Sequence, residues 1–438
     1  MKTVIRPETE MKESGASWMG KIPCEWSVSK LKWYLRRIDP RNPGDKQVLS
    51  LYREYGVIPK DSRDDNHNAT SEDTSKYKYV RVGDFVVNKM KAWQGSVAVS
   101  EYDGIVSPAY YVYHFTDDSY HRRYFHYLLR SCYKEEFMRL SGGIRVGQWD
   151  LSSKDLDNVL IVIPKKEEQQ AIADYLDETC SKIDEIIAEA KASVDEYKEL
   201  KQAVIFDGIS LGTKSCCEYK KTTLEGIKKI PVAWEYRKLK FLIKYIESGV
   251  SVNAGNEPAT ELEYGVLKTS CVSKMFFIPS ENKSVNKDEY ARVKCPVCGN
   301  TIIVSRMNTP DLVGACAYIE KNINNIFLPD RLWQVHFNDD VNVKYVYYCL
   351  ISPYIRNYYS SLSTGTSSSM QNISQGQFAN AIIPYPSLEE QKEIVEFLDK
   401  RTAEIDSLIA EKESLIHDLE AYKKSLIYEV VTGKRRVV

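Results

Sequence analysis

Two stretches of the chain repeat apolar residues at the spacing of a long helix. From Ile172, alternating steps of four and three meet Ile172, Leu176, Thr179, Ile183, Ile186, Ala190, Ser193, Tyr197, Leu200 and Val204; from Ile394 they meet Ile394, Leu398, Arg401, Ile405, Leu408, Lys412, Leu415, Leu419, Tyr422 and Leu426. No Pro or Gly interrupts Glu167 to Asp207 or Glu389 to Val431. Sustained heptads with charged flanks predict a coiled coil. About 40 residues at 1.5 Å each give a helix of roughly 60 Å, longer than a domain of this size can cover. The simplest partner for each helix is the other, antiparallel if the two halves are related by a pseudo-two-fold axis.

Elsewhere the apolar pattern is short and β-like. Tyr79 to Val82, Phe85 to Val87, Ala109 to Phe115 and Thr301 to Val304 are rich in branched and aromatic residues and bounded by turn residues. A helical pattern from Tyr124 to Leu140 matches one from Val346 to Leu362, and Ser141 to Gly147 and Ser363 to Ser369 read as loops. Each of these segments is therefore α+β.

The whole pattern occurs twice. Lys21-Ile22-Pro23-Cys24-Glu25-Trp26 followed by Lys30-Leu31-Lys32 returns 208 residues later as Lys229-Ile230-Pro231-Val232-Ala233-Trp234 followed by Lys238-Leu239-Lys240. At an offset of 217, Val87-Asn88-Lys89-Met90 faces Val304-Ser305-Arg306-Met307. From His114-Phe115 and His336-Phe337 onward the offset is 222, pairing Leu151-Ser152 with Ile373-Ser374, Pro164 with Pro386, Glu167-Glu168-Gln169 with Glu389-Glu390-Gln391, and Leu176-Asp177 with Leu398-Asp399. The expected organisation is a globular domain over 1–164, a helix over 165–212, a second globular domain over 213–387, and a second helix with a basic tail over 388–438.

At 438 residues the chain is long enough for two or three domains. Its net charge of −1 conceals an alternation: +3 over 1–164, −6 over 165–212, +5 over 213–387, −6 over 388–429, and three basic residues at 434–436. Mildly basic segments with 30 Tyr in the chain suit phosphate contacts and aromatic platforms, whereas acidic helices repel DNA and suit protein partners. No apolar run approaches the roughly 20 residues of a membrane span, and the start shows no signal-peptide core, so a cytoplasmic location is expected. Ten scattered Cys are read as free thiols.

The Ile-Pro-x-x-Trp entry, the variable segment, the Pro before Glu-Glu-Gln and the heptad helix, all duplicated, resemble the specificity subunit of type I restriction-modification systems. The motif pairs that carry the likeness are Ile163-Pro164 with Glu167-Glu168-Gln169, and Ile383-Pro384-Tyr385-Pro386 with Glu389-Glu390-Gln391. Lys165-Lys166 stands where the family has a proline and an apolar run. The resemblance implies two target-recognition domains held apart by an antiparallel coiled coil, each reading one half of a split double-stranded DNA target. Two methyltransferase subunits would dock on the helices and restriction-translocation subunits outside them. S-adenosylmethionine and ATP with Mg would be bound by those partners, and this chain would hold no cofactor and catalyse nothing itself. A coiled-coil spacer joining two protein-binding domains, with no role on DNA, is the alternative.

The residues support a non-catalytic reading. Gly15 to Ile22 has the glycine spacing of a phosphate loop, but Ile22 stands where a Ser or Thr should hold magnesium. No dinucleotide fingerprint follows a strand, and no Asp-Pro-Pro-Tyr or Asn-Pro-Pro-Tyr/Phe of an amino-methyltransferase occurs. Cys295 and Cys298 have the spacing of half a zinc site, but no second pair accompanies them, so they read as a turn with two thiols. His114 and His336 read as structural. Bases are read by Arg, Lys, Asn and Gln on loops. The candidates are Lys89, Lys91, Trp93 and Gln94 after a strand, with Arg145, Gln148 and Trp149 on a second loop; in the other half they are Arg306, Asn308 and Thr309, with Gln371 and Asn372.

Overall fold

The computed structural model describes residues 2–438 apart from 45, 54, 64–69, 71–72, 144–148, 214–217, 225, 363 and 368–369. The described chain packs as two units, Met1–Lys191 with Ser414–Val438, and Ala192–Glu413. Each long helix thus contributes one half to each unit.

In the first unit the strands Val97–Val99, Phe85–Asn88, Tyr110–Phe115 and Leu35–Ile38 form an antiparallel sheet in that order. Successive side chains of a strand point to opposite faces. Phe85, Val87, Tyr113 and Phe115 accordingly join a large core with the helices, while Val86, Ala98 and Val112 join a second core under the hairpin Leu49–Tyr52 and Gly56–Pro59. A sheet covered on both faces explains why these strands read as continuous apolar runs. The second unit repeats the arrangement with Ile243–Ser248, Leu332–Phe337, Thr301–Ser305 and Cys316–Ile319. Ile302 and Val304 face one core and Ile303 the other.

Each expected helix of the globular segments is broken in two. Arg122–Cys132 and Lys134–Leu140 are separated at Tyr133, and Val343–Ile351 and Pro353–Leu362 at Ser352. In the second unit the cause is Pro353, which lacks the N–H needed to continue a helix but fits its first turn. The expected loop over Ser363 to Ser369 is in part a hairpin, because 364–367 pairs with 370–372.

The long helices span Lys166–Leu211 and Leu388–Val431, beginning at equivalent residues despite Lys165-Lys166. The repeated motifs explain these starts. Gln169 Nε2 reaches back to the carbonyl of Pro164 at 3.0 Å, and Gln391 Nε2 to that of Pro386 at 2.9 Å. Trp26 Nε1 donates to Glu168 Oε2 at 2.9 Å, joining the Ile-Pro-x-x-Trp entry to the Glu-Glu-Gln hinge. Each helix is then bound to its own domain. Asp177 accepts from Tyr127 Oη and Arg123 Nη2, both at 2.7 Å, and Asp399 accepts from Tyr348 Oη at 2.6 Å and Lys344 Nζ at 2.7 Å.

The seam differs from the expected register. Buried positions run Leu176, Cys180, Ile183, Ile187, Ala190 and Val194 in the first helix, whereas Ile186 and Leu200 are exposed. In the second helix Leu398, Thr402, Ile405 and Leu426 are buried, whereas Arg401, Leu408, Leu415 and Tyr422 are exposed. Thr179, Ile186, Ser193 and Leu200, with their four counterparts, therefore lie one residue off the seam. The true seam is interrupted by polar residues, of which Lys201 and Lys423 reach carboxylates of the facing helix. In the first unit Asp184 pairs with Lys423 at 2.6 Å and Lys191 with Glu420 at 3.5 Å, so the helices run antiparallel there. In the second unit Lys201 pairs with Asp406 at 2.6 Å, the counterpart of the first pair under the 222-residue offset.

Candidate nucleic-acid interface

The two loops singled out in each half meet in the structure. In the first unit Lys89 Nζ donates to Asp150 Oδ2 at 2.8 Å, the amide of Leu151 donates to the carbonyl of Lys89 at 3.0 Å, and the rings of Trp93 and Trp149 pack edge to face at 5.5 Å. In the second unit the amide of Ile373 donates to the carbonyl of Arg306 at 3.1 Å, and Met307–Asn308 pairs with Asn372 and Gln371 as a short antiparallel ladder. The contact between Lys89 and Leu151 recurs between Arg306 and Ile373, so the repeat holds at these loops. Arg145 and Gln148 lie outside the described residues.

Local geometry fixes several of these side chains. Lys91 leads into a single turn of helix, Ala92–Gln94, closed by Gly95 in the left-handed conformation at φ 88°. Lys91 is exposed, and Trp93 Nε1 donates to the carbonyl of Met90 at 3.1 Å. A hydrogen bond to Asp150 raises the Lys89 ammonium above its ordinary value, so its charge is already compensated. Asn308 Oδ1 accepts from the Thr309 amide at 2.9 Å, which orients its amide group. The carbonyl of Thr309 accepts from Leu312 and Val313, and Arg356 Nη2 holds the carbonyls of Asp311 and Val313, both at 2.8 Å. Arg306 Nε is buried without a hydrogen-bond partner among the described residues.

Sequence reasoning missed four arginine contacts on the first unit. Arg53 Nη2 donates to Gln94 Oε1 at 2.9 Å and stands in the hairpin turn beside Tyr52. Arg63 lies 4.5 Å over Tyr55. Arg37 lies 4.7 Å over Tyr111 and donates to Ser153 Oγ at 3.0 Å. Basic side chains over aromatic rings occur where bases and phosphates are gripped together. Alternation of Tyr and Arg from Tyr52 to Arg63 was the available signal, outside the repeated motifs.

The thiol pair is arranged around a side-chain amide. Gln334 Oε1 accepts from the Cys298 amide at 2.8 Å, and Gln334 Nε2 lies 3.6 Å from Cys295 Sγ and 2.9 Å from Glu247 Oε1. Burial raises both thiols, disfavouring the thiolates that bind metal. Among the described residues no group of three or more His, Cys, Asp or Glu is arranged to hold a metal ion. His336 Nε2 pairs with Glu247 at 2.7 Å and His114 Nδ1 with Asp84 at 2.8 Å. Among the described residues no helix is long and apolar enough to cross a membrane.

Two α+β units with paired basic and amide-bearing loops, mounted on antiparallel helices, define a duplicated recognition scaffold. The family model for the type I restriction modification DNA specificity domain matches residues 38–196 and again 231–417, and the chain belongs to that family. It is 26% identical over 428 residues to the type I restriction enzyme MjaVIII specificity subunit of Methanocaldococcus jannaschii, covering 95% of this chain and 94% of that one. It is 26% identical over 173 residues to the EcoEI specificity subunit of Escherichia coli, covering 39% of this chain and 29% of that relative's length. A solved structure titled for complex assembly and conformational transition of the type I R-M system has the same fold, with TM-score 0.68, 16% identity, and coverage of 94% of this chain and 99% of that one.

Proposed function

We propose that this chain is the DNA-reading subunit of a type I restriction-modification complex. Each globular unit reads one half of a split target through its two joined loops, and the helices set the separation of the half-sites. The observation that carries the reading is the recurrence of the loop junction, Lys89 with Leu151 and Arg306 with Ile373, in both copies. It places Lys91, Trp93 and Trp149 in one unit, and Asn308, Thr309 and Gln371 in the other, at the tips of a rigid sheet, as base readout requires.

The helices supply the partner surface. Ile186, Leu415 and Tyr422 in the first unit, and Leu200 and Leu408 in the second, are each 40 to 49% exposed. All five stand one residue before a seam position, on a single flank of an antiparallel pair; the other flank carries charges such as Lys191 and Glu420. An apolar flank on an acidic helix suits the methyltransferase subunits. Those subunits would bind S-adenosylmethionine, and the restriction subunits ATP with Mg.

Exchange of residues 1–160 for the matching segment of a relative tests the reading, with methylated adenines mapped across a genome modified by the reconstituted complex. One half of the target is expected to change while the other half stays. If both halves changed together, or neither did, independent reading by the two units would be excluded.

A further inference from the structure

The two units differ at one packed position. Residues 14–20 and 222–228 form the same loop: Ala16 N donates to Ser14 Oγ at 3.1 Å and Leu224 N to Thr222 Oγ1 at 2.9 Å, and Met19 N donates to the carbonyl of Ala16 at 3.0 Å and Ile227 N to that of Leu224 at 3.2 Å. Met19 and Ile227 are both buried under it. The aromatic residue facing the loop is also equivalent, since Tyr133 Oη donates to the carbonyl of Leu160 at 2.9 Å and Tyr354 Oη to that of Ile382 at 3.1 Å. In the first unit the turn presents Trp18, whose indole packs edge to face on Tyr133 at 6.0 Å. In the second unit the same turn position is Gly226, left-handed at φ 93°, and a Cβ built on it would lie 3.3 Å from Tyr354 Cδ2. A side chain there would thus point at Tyr354 as Trp18 points at Tyr133.

The missing indole leaves an open apolar groove of about 610 Å³ within the second unit, lined chiefly by Ala203, Phe206, Gly226, Pro353, Tyr354 and Asn357. Native interiors are close-packed, and an apolar space where a ring is missing accepts a ring of matching size. From the occupant of the equivalent place we infer that this groove is a binding site for an indole-sized aromatic side chain presented by a polypeptide partner. Its position beside the second half of the first long helix, on the opening face and not inside the core, admits a side chain from outside. The inference is independent of the DNA-reading role, because the lining residues are not among the candidate loops.

Free indole is the probe. Titrated into the full chain and followed by saturation-transfer NMR, it is expected to bind saturably at a single site with a dissociation constant of roughly 0.1 to 1 mM, the range open to so small a ligand. Ala203→Glu, on an exposed helix position, is expected to weaken binding at least tenfold with the thermal transition unchanged, and Gly226→Trp to abolish it. Conversely Trp18→Gly is expected to open a second site in the first unit, so that the stoichiometry rises from one to two. Absence of saturation up to the solubility of indole, or saturation that Ala203→Glu leaves unchanged, would overturn the inference. Either result leaves DNA recognition, measured by half-site exchange, untouched.

Discussion

Lys423 Nζ lies 2.6 Å from both carboxylate oxygens of Asp184, spanning the seam between the two long helices of the first unit. Its counterpart, Lys201 with Asp406, has the same geometry in the second unit, at 2.7 and 2.6 Å. The lysines occupy seam positions that a heptad rule gives to apolar residues, with their stems in the seam and their ammonium groups at its edge.

Asp184 is 58% exposed, so the pair is screened by water and is worth little. In a urea denaturation double-mutant cycle, Asp184→Ala and Lys423→Ala are expected to show a coupling below about 1 kcal/mol. A much larger coupling would mean that the seam is drier than its exposure indicates.

Asp177 is in a different position, because it receives hydrogen bonds from both the Tyr127 phenol and the Arg123 guanidinium. Burial, and then Asp177 itself, hold the Tyr127 phenol well above its ordinary pKa. Asp177→Asn is expected to cost roughly 1 to 3 kcal/mol in the same measurement. Tyr127→Phe should remove part of that cost without disturbing the fold.

His126 predicts a pH dependence. Burial, followed by Arg130, lowers its imidazole to about 3, and its Nδ1 accepts from the Val99 amide at 3.3 Å. The folded state therefore binds fewer protons than the unfolded state between about pH 3 and the ordinary histidine value near 6.5. Stability is fully present above that value and falls with acidification by up to about 1.4 kcal/mol per pH unit. Compared with the wild type, His126→Gln is expected to show a shallower loss between pH 6.5 and 5. Parallel curves would indicate that the ring ionises normally.

On DNA the two kinds of loop residue should separate. Lys91→Ala is expected to lower binding of the assembled complex to all sequences alike and to reduce the slope of affinity against salt by about one. Asn308→Ala is expected to cost about 1 to 3 kcal/mol at one base of one half-site and to relax specificity only there. A uniform loss from Asn308→Ala would reassign it to the backbone.

Adding one heptad to both helices near Ala190 and Lys412 keeps the seam in register and adds roughly 10 Å of rise. That corresponds to about three base pairs. Methylation is expected at unchanged half-sites with a longer spacer. Retention of the original spacer in a folded, assembled variant would mean that partner subunits or bent DNA set the separation.

The duplication and its hinges were legible because they depend on residues that do one thing. Gln169 and Gln391 close onto prolines, Trp26 reaches Glu168, and the offset of 222 recovers both. The seam register was not legible. Ile186, Leu200, Leu408, Leu415 and Tyr422 have the hydrophobicity of buried residues but stand on an open flank, while Cys180, Thr402, Lys201 and Lys423 occupy the seam; apolar periodicity cannot distinguish a buried stripe from an adjacent exposed one. The loop pairs were legible through the repeat, whereas Arg37 and Arg53 were not, since a cross-strand or hairpin contact leaves no periodic trace.

The pairing of Thr3–Ile5 with Arg435–Val437 bears on the order of synthesis. The first unit also needs Val431, whose carbonyl accepts from Tyr124 Oη at 3.0 Å, and the second half of the second helix. A ribosome adding about 5 to 20 residues per second delivers all of Ala192–Glu413 before any of Ser414–Val438. The unit whose residues emerge first is therefore the last that can close, and for the interval between, its exposed core from residues 1–191 is a natural client for a chaperone.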